Sequence, residues 1–159
     1  MSTVQFNLKK WYQFLALGFG SGLAKKAPGT FGTLAAVPLV ALLLWLGNGY
    51  LLGFVLSGAV LGVYLCGKTA EDIGEHDHKA IVWDEIIGYG ISLLWLPLHW
   101  QTLLLGFVLF RLFDIVKPWP ISVLDKHVHG GLGIMLDDIA AGIATLAVLH
   151  LLLPYLPLN

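Results

Sequence analysis

Hydrophobic residues fill this chain in long uncharged blocks that are separated by short charged ones. Residues 27–67 contain no Asp, Glu, Lys or Arg, and a Gly-Asn-Gly sequence, Gly47 to Gly49, interrupts them near the middle. Because such a sequence favours a turn, we predict two helices, residues 31–46 and 50–67, joined as a hairpin, with Thr30 or Thr33 as the first N-cap. They would be about 24 and 27 Å long, slightly shorter than a hydrocarbon core of about 30 Å.

A second uncharged block, residues 86–110, carries the polar sequence LPLHWQT at its centre, residues 96–102. It fits either one kinked membrane span or two shorter helices that turn there. All nine Lys and Arg residues fall before residue 27, in 68–79 or in 111–126. Only the two-helix arrangement puts all of them on one membrane face, as the positive-inside rule prefers. We therefore predict a second hairpin, and a fifth helix over residues 139–156.

The composition is that of a membrane protein. Hydrophobic residues make up 57% of the chain, charged residues 12%, and the mean hydropathy is +0.80, whereas globular chains carry about 25% charge. The net charge of −1 argues against nucleic-acid binding, and the single Cys66 excludes an intramolecular disulfide. We expect one domain, residues 1–159, with an all-α fold: a compact multi-helix bundle of membrane-embedded hairpins with a polar site at one membrane face.

The first 24 residues place two lysines before a short apolar stretch, as a signal peptide does. That stretch is interrupted by Gln13, and no small-x-small cleavage site follows it. An interfacial helix, with Trp11, Tyr12 and Phe14 at the lipid boundary, fits the pattern better.

Two acid pairs stand beside apolar helices: Asp84 with Glu85, and Asp137 with Asp138. In each pair, one acid lies four residues before a glycine. These acid and glycine combinations are Asp84 with Gly88 and Asp138 with Gly142. Residues four apart share a helix face, and a glycine leaves room for another helix or a ligand. We expect Asp84 and Asp138 to point inward and their neighbours to flank them.

The pairs have two interpretations. Acids near helix N-termini can cap free N–H groups and offset the helix dipole, for about 0.3 to 1 kcal/mol each. Alternatively, four nearby carboxylates repel one another unless a cation neutralises them, and ionisable groups at membrane depth usually have a function. A hard divalent ion with oxygen ligands, Mg²⁺ first, would satisfy them.

Other residues suggest a phosphate or a different metal. Arg111 and Asp114 share a helix face and can form a simple ion pair, but an arginine and a lysine beside a metal would suit a phosphate. The glycine-rich sequences GFGSG and HGGLG and the helix start APGTFGTLAA could add backbone amides. Two His-x-His sequences, HDH and HVH, raise Zn²⁺ as an alternative, although no HExxH motif or cysteine partner accompanies them.

Four segments in this order, GFGSGL…PGTFGTLAA, HDH…IVWDEIIG, FRLFDIVKPWPI and HGGLGIMLDDIAAG, resemble the bacterial phosphatidylglycerophosphatase A family. The resemblance extends from about Leu17 to the last helix. It implies an all-helical, Mg²⁺-dependent lipid phosphatase of the bacterial inner membrane, which converts phosphatidylglycerophosphate to phosphatidylglycerol. Lys25, Lys26 and His127 lie outside the family pattern, and we assign them no role.

Together, the residues and the resemblance give a hypothesis for the site. The expected Mg²⁺ ligands are all acidic: Asp77, Asp84, Glu85, Asp137 and Asp138. The expected phosphate-binding residues are Arg111, Lys117, Thr30 and Ser21. Catalysis is expected from Asp84, Asp138 and His129, with Asp114, Gly88 and Gly142 in support. His129 or an unliganded carboxylate would protonate the leaving glycerol oxygen.

Two alternatives remain open from the sequence. The first concerns chemistry: water could attack the phosphorus directly, or an aspartate could form a phosphoenzyme. The second concerns function: an ion- or proton-conducting subunit would also carry acids and histidines, but inside its spans. The phosphatase hypothesis predicts a phospholipid substrate, a bilayer environment and an active site on the cytoplasmic face of the inner membrane.

Overall fold

Helices account for all the regular secondary structure of residues 4–157, the part of the chain that the computed structural model describes. The α-helices, in chain order, are α1 (Trp11–Ala16), α2 (Pro28–Leu46), α3 (Asn48–Ile73), α4 (Trp83–Ser92), α5 (Trp100–Val116), α6 (Ile121–His127) and α7 (Gly130–Leu152). Short 3₁₀ segments cover Gly18–Leu23 and Leu153–Tyr155. The predicted all-α fold is confirmed.

Three helices are long and apolar enough to cross a membrane: α2, α3, and α7 with the 3₁₀ turn that follows it, Gly130–Tyr155. Helix α4 has 10 residues, which gives a length of about 15 Å, half of a hydrocarbon core. Every residue of α4 except Ile91 is buried. A short helix surrounded by longer ones thus occupies the centre of the bundle.

The two predicted hairpins are present, with different boundaries. Helices α4 and α5 are separated by residues 93–99, so residues 86–110 do not form a single span. Helix α2 begins at Pro28 rather than at residue 31, and neither threonine caps it. Its N-cap is Ala27, whose left-handed backbone is followed by a proline at the first helical position, a common place for proline.

Helices α3 and α7 extend beyond their apolar blocks. Helix α3 continues to Ile73 and ends at the left-handed Gly74, because Lys68 pairs with acids three and four residues later on the same helix face. Helix α7 begins at Gly130 instead of residue 139. The expectation that Asp137 and Asp138 precede a helix was therefore wrong: both lie inside α7.

Glycines allow α4 and α7 to pack backbone against backbone. A Cβ atom on Gly142 would overlap the carbonyl oxygen of Gly88, and a Cβ on Gly88 would lie 2.7 Å from the carbonyl oxygen of Asp138. This confirms that the glycine one turn beyond each acid leaves room for another helix. The close approach brings the acidic turns of the two helices together.

The N-terminal segment is attached to the end of α3 through Asp72. Its carboxylate accepts hydrogen bonds from Lys10, at 2.7 Å, from Gln13, at 3.1 Å, and from the Tyr12 hydroxyl. Helix α1 leaves Trp11 and Phe14 exposed, which is the arrangement an interfacial helix requires.

Candidate active site

A cavity of about 380 Å³ opens where four helices and one loop converge. It is lined by the start of α2, the loop before α4, the first turn of α4, the end of α5 and the middle of α7. The lining residues are Ala27, Pro28, Gly29, Asp77, Lys79, Ile81, Asp84, Glu85, Arg111, Asp114, Ile115, Lys117, Asp137 and Asp138. Charged clusters that are far apart in the sequence therefore meet in one composite site, as predicted.

Three carboxylates form a buried cluster at the base of this cavity. Asp84, Glu85 and Asp138 each offer an oxygen within 4.8 Å of the others. One oxygen of each, Asp84 Oδ1, Glu85 Oε2 and Asp138 Oδ2, has no hydrogen-bond partner among the described residues. Buried polar atoms are almost always paired, so three neighbouring carboxylates with unpaired oxygens form a group that could hold a cation.

The expectation that one acid of each pair points inward holds for α7 but not for α4. On α7, Asp138 joins the cluster, whereas Asp137 lies 2.5 Å from the Lys117 ammonium. On α4, both Asp84 and Glu85 join it. Helix α4 is buried on nearly every side, so side chains in two directions from its first turn still face protein or the cavity.

Burial and mutual repulsion perturb the acids of α4. Burial, followed by the charge of Asp138, raises the pKa of Glu85 from 4.5 to about 8. Burial, followed by the charge of Glu85, raises the pKa of Asp84 well above its usual range. Both shifts disfavour the charged forms, and a divalent cation would reverse them because it stabilises carboxylates directly.

The donor set fits Mg²⁺. Three carboxylates supply hard oxygen ligands and negative charge. The open cavity leaves space for water or phosphate as further ligands, and protein-bound Mg²⁺ usually keeps several waters. Asp77 and Asp137, also predicted as ligands, line the same cavity but stand outside the group of three. The cluster is the only set of three or more potential ligands this close together in residues 4–157, and it contains no histidine.

Two cations face the cluster from the end of α5. Arg111 pairs with Asp114 on its own helix and lies 3.6 Å from Glu85 Oε1. The predicted helical ion pair therefore exists, but it is largely buried and lines the cavity. Lys117 bridges Asp137, at 2.5 Å, and Asp125, at 2.6 Å.

The side chain of Lys117 is protonated at neutral pH. Burial lowers its pKa, but the hydrogen bonds and charges of Asp125 and Asp137 outweigh burial and raise it above the usual range. Two positive charges beside an acidic cluster are suited to bind a doubly charged phosphate.

Three of the residues predicted for catalysis or phosphate binding do not line this cavity. Ser21 donates a hydrogen bond from Oγ to the carbonyl of Gly18, at 2.8 Å, within the 3₁₀ segment. Thr30 follows the lining residue Gly29, but its own side chain is not part of the wall. His129 lies beside His76 in a neighbouring cavity of about 240 Å³, which shares Asp77 and Asp137 with the first.

Some lining residues were missed from the sequence. A side chain on Gly29 would collide with Glu85 and Arg111, so only glycine allows α2 to lie this close to them. Lys79 also lines the cavity, as Asp77 does. The sequence feature that could have identified it is its position in the charged segment before α4. Three lining residues have left-handed backbones, Ala27 at φ 47°, Asp77 at φ 54° and Lys117 at φ 45°. Such conformations are uncommon outside glycine and tend to cluster at functional sites.

Comparison with known proteins agrees with the sequence pattern. Residues 14–153 match the family described as Phosphatidylglycerophosphatase A. The chain is 49% identical over 149 residues to the Phosphatidylglycerophosphatase A of Escherichia coli, covering 93% of this chain and 87% of that protein. It is 51% identical over 136 residues to the protein of the same name from Haemophilus influenzae, covering 84% and 83%. No solved structure matches the chain significantly. The chain belongs to the phosphatidylglycerophosphatase A family.

Proposed function

We propose that this chain, a phosphatase by its family, hydrolyses the terminal phosphomonoester of phosphatidylglycerophosphate with Mg²⁺ as its cofactor, giving phosphatidylglycerol and phosphate. The observation that carries the proposal is the buried cluster of Asp84, Glu85 and Asp138, which has unpaired oxygens and lines the same cavity as Arg111 and Lys117. A phosphomonoester and a divalent ion are complementary to this combination of charges.

Asp84, Glu85 and Asp138 would hold the ion. A bound Mg²⁺ would supply charge neutralisation at the phosphate and a water of lowered pKa. Asp137 stands outside the cluster and pairs with Lys117, at 2.5 Å. The role of the three acids explains why the fold places them together despite their repulsion.

Arg111 and Lys117 would bind the phosphate oxygens. Carboxylates on Asp114 and Asp137 hold these cations in place, and an already ordered cation loses little freedom when it binds a ligand. Gly29 carries no side chain, so the N-terminus of α2 lies directly against Glu85 and Arg111 in the cavity wall. The dipole of α2 adds to the attraction, because helix N-termini favour anions.

An acid must still protonate the departing glycerol oxygen. Asp77 and Asp137 line the cavity without belonging to the cluster of three. His129, which lies in the neighbouring cavity, is less directly placed. We therefore propose that one of these two carboxylates transfers the proton.

The chain is a membrane protein, with three helices suited to cross a bilayer. We propose the bacterial inner membrane, with the cavity at the cytoplasmic face. The basic residues support this orientation, since Lys79, Arg111 and Lys117 line the cavity itself. Because the family is enzymatic, the alternative of an ion-conducting subunit is not retained.

Phosphate release tests the proposal. Purified protein in detergent is supplied with phosphatidylglycerophosphate, in EDTA and in Mg²⁺, and inorganic phosphate and phosphatidylglycerol are both measured. Equal amounts of the two products are expected in Mg²⁺ and almost none in EDTA. Asp138→Asn should be inactive, whereas Glu71→Gln, which removes an exposed acid on α3, should match wild type. Activity of Asp138→Asn near the wild-type level would contradict the site.

The mode of attack needs a separate measurement. A substrate whose terminal group is a thiophosphate made chiral by two oxygen isotopes, hydrolysed in water labelled with the third isotope, reports how many displacements occur at phosphorus. Inversion is expected if water attacks directly, and retention if an aspartate forms a covalent intermediate.

A further inference from the structure

An apolar groove of about 360 Å³ runs between α2 and α5. Side chains of both helices form its walls, and none of the six is polar: Leu34, Val37, Trp100, Leu103, Leu104 and Phe107. Leu34, Trp100 and Leu104 each have more than half of their surface exposed. The groove is therefore open to the outside of the bundle, on the side that a bilayer surrounds.

The groove and the active cavity lie along the same pair of helices. At the cavity, Gly29 of α2 faces Arg111 of α5. In the groove, Val37 of α2 and Leu103 of α5 both line the walls. From the cavity to the groove the chain advances eight residues along α2 and goes back eight residues along α5. The two helices therefore run antiparallel, and the groove lies about 12 Å from the cavity. One seam thus leads from a charged cavity to an apolar groove.

Helix α4 supports the groove from beneath. The Tyr89 hydroxyl donates a hydrogen bond to the carbonyl of Leu103, at 3.0 Å, and the Tyr89 ring packs edge-on against Phe107, with centroids 6.5 Å apart. Tyr89 is completely buried. Because the polar and apolar parts of this side chain both fix α5, the floor of the groove is formed before any ligand arrives.

We propose that this groove binds an acyl chain of the phospholipid substrate while its terminal phosphate occupies the cavity. The inference rests on the proposed function, which supplies a substrate with an anionic head group and attached acyl chains. The seam presents the matching order, with cations at the cavity and apolar side chains about 12 Å along the same helices. Acyl binding remote from the phosphate would raise turnover by positioning the reacting group.

Two substitutions fill the groove without touching the cavity. Leu34→Trp and Leu104→Trp enlarge half-exposed side chains on opposite walls. Val60→Trp on α3 is the matched control, since Val60 is 78% exposed and lines neither the groove nor the cavity. Each variant is assayed in Mg²⁺ with dioleoyl phosphatidylglycerophosphate and with its deacylated, water-soluble head group.

Wild type should show a higher kcat/KM for the dioleoyl substrate than for the deacylated one. The groove variants should lose roughly tenfold or more of kcat/KM on the dioleoyl substrate, as expected when a hydrophobic pocket no longer accepts its ligand. Their activity on the deacylated substrate should be unchanged, which also shows that they fold. Val60→Trp should match wild type on both.

The outcomes separate this inference from the proposed function. Wild type that releases no phosphate from either substrate would overturn both. If wild type is active, groove variants with normal kinetics on the dioleoyl substrate overturn the acyl site alone. Equal losses by Val60→Trp would also overturn it, because they would indicate a general effect of the surrounding lipid or detergent.

Discussion

Replacing Asp138 with asparagine should stabilise the protein when divalent cations are absent, although it removes activity. The ligand oxygens of the cluster lie within 4.8 Å of one another, and two unit charges at that outer limit repel by about 3.5 kcal/mol at an effective dielectric constant of about 20. The pKa of Glu85 is raised to about 8, so the cluster holds protons at neutral pH. The repulsion energy therefore comes from one charged pair of carboxylates rather than from three. Removing this repulsion should raise Tm by about 7 to 14 °C for a chain of this size.

The pH dependence follows from the same acids. Glu85 has a folded pKa of about 8 against an ordinary value of 4.5. Its folded form therefore keeps a proton that the unfolded chain releases, so stability is highest below about pH 4.5 and falls as the pH rises toward 8. Asp138→Asn removes the charge that is the second cause of this pKa shift. The stability of the variant should therefore fall less steeply as the pH rises.

Thermal unfolding in detergent measures both effects, in EDTA and in Mg²⁺ between pH 4.5 and 8. Mg²⁺ at a hundred times its Kd should stabilise wild type by about 2.7 kcal/mol. The Asp138→Asn protein should lose most of this stabilisation. Glu71→Gln removes an exposed carboxylate and should leave both values unchanged. An Asp138→Asn protein that is less stable than wild type in EDTA, or that gains equally from Mg²⁺, would refute the reasoning.

Three further variants test other parts of the structure. Arg111→Lys keeps the charge but loses the planar fork, so kcat/KM for phosphate release should fall by at least roughly tenfold, and unchanged kinetics would exclude the arginine from phosphate binding. Gly142→Ala places a Cβ against the carbonyl of Gly88 and should lower the free energy of unfolding by about 1 to 3 kcal/mol, an effect that normal denaturation would contradict. Asp72→Ala should speed tryptic cleavage in the N-terminal segment without affecting turnover, and Glu71→Ala, the matched control, should not; equal cleavage rates would show that Asp72 does not hold that segment.

Much of the fold was predictable because helices that face lipid need uninterrupted apolar sequence. The uncharged blocks therefore located the hairpins, and charge placement chose the two-helix form of residues 86–110 correctly. The pairing of an acid with a glycine four residues later also had a direct physical meaning. It identified Gly88 and Gly142 as the contact that brings Asp84 and Asp138 together.

The start of α7 was not predictable from local sequence, since a glycine-rich stretch normally indicates a loop. These glycines lie within the helix because other backbones press against them. A Cβ on Gly131 would overlap the carbonyl of Val63 on α3, and one on Gly133 would overlap that of Val128. The helix therefore begins nine residues earlier than its apolar block, at Gly130. The position of His129 in a neighbouring cavity also depends on how this helix packs.

The positions of individual side chains also depend on tertiary contacts. The sequence could not show that Lys117 draws Asp137 away from the other acids, because that ion pair joins α5 to α7. Likewise, Glu85 enters the cluster because α4 is buried on almost every side. Pairwise patterns thus predicted which segments form the site, whereas packing decided which atoms face one another.

Anomalous scattering from Mn²⁺, used in place of Mg²⁺ in crystals of the full chain, tests the central claim most directly. We predict a peak in contact with Asp84, Glu85 and Asp138, and its absence in Asp138→Asn crystals grown under the same conditions. An ion held instead by His76 and His129, or a peak at the cluster that persists in the variant, would contradict the proposed metal site.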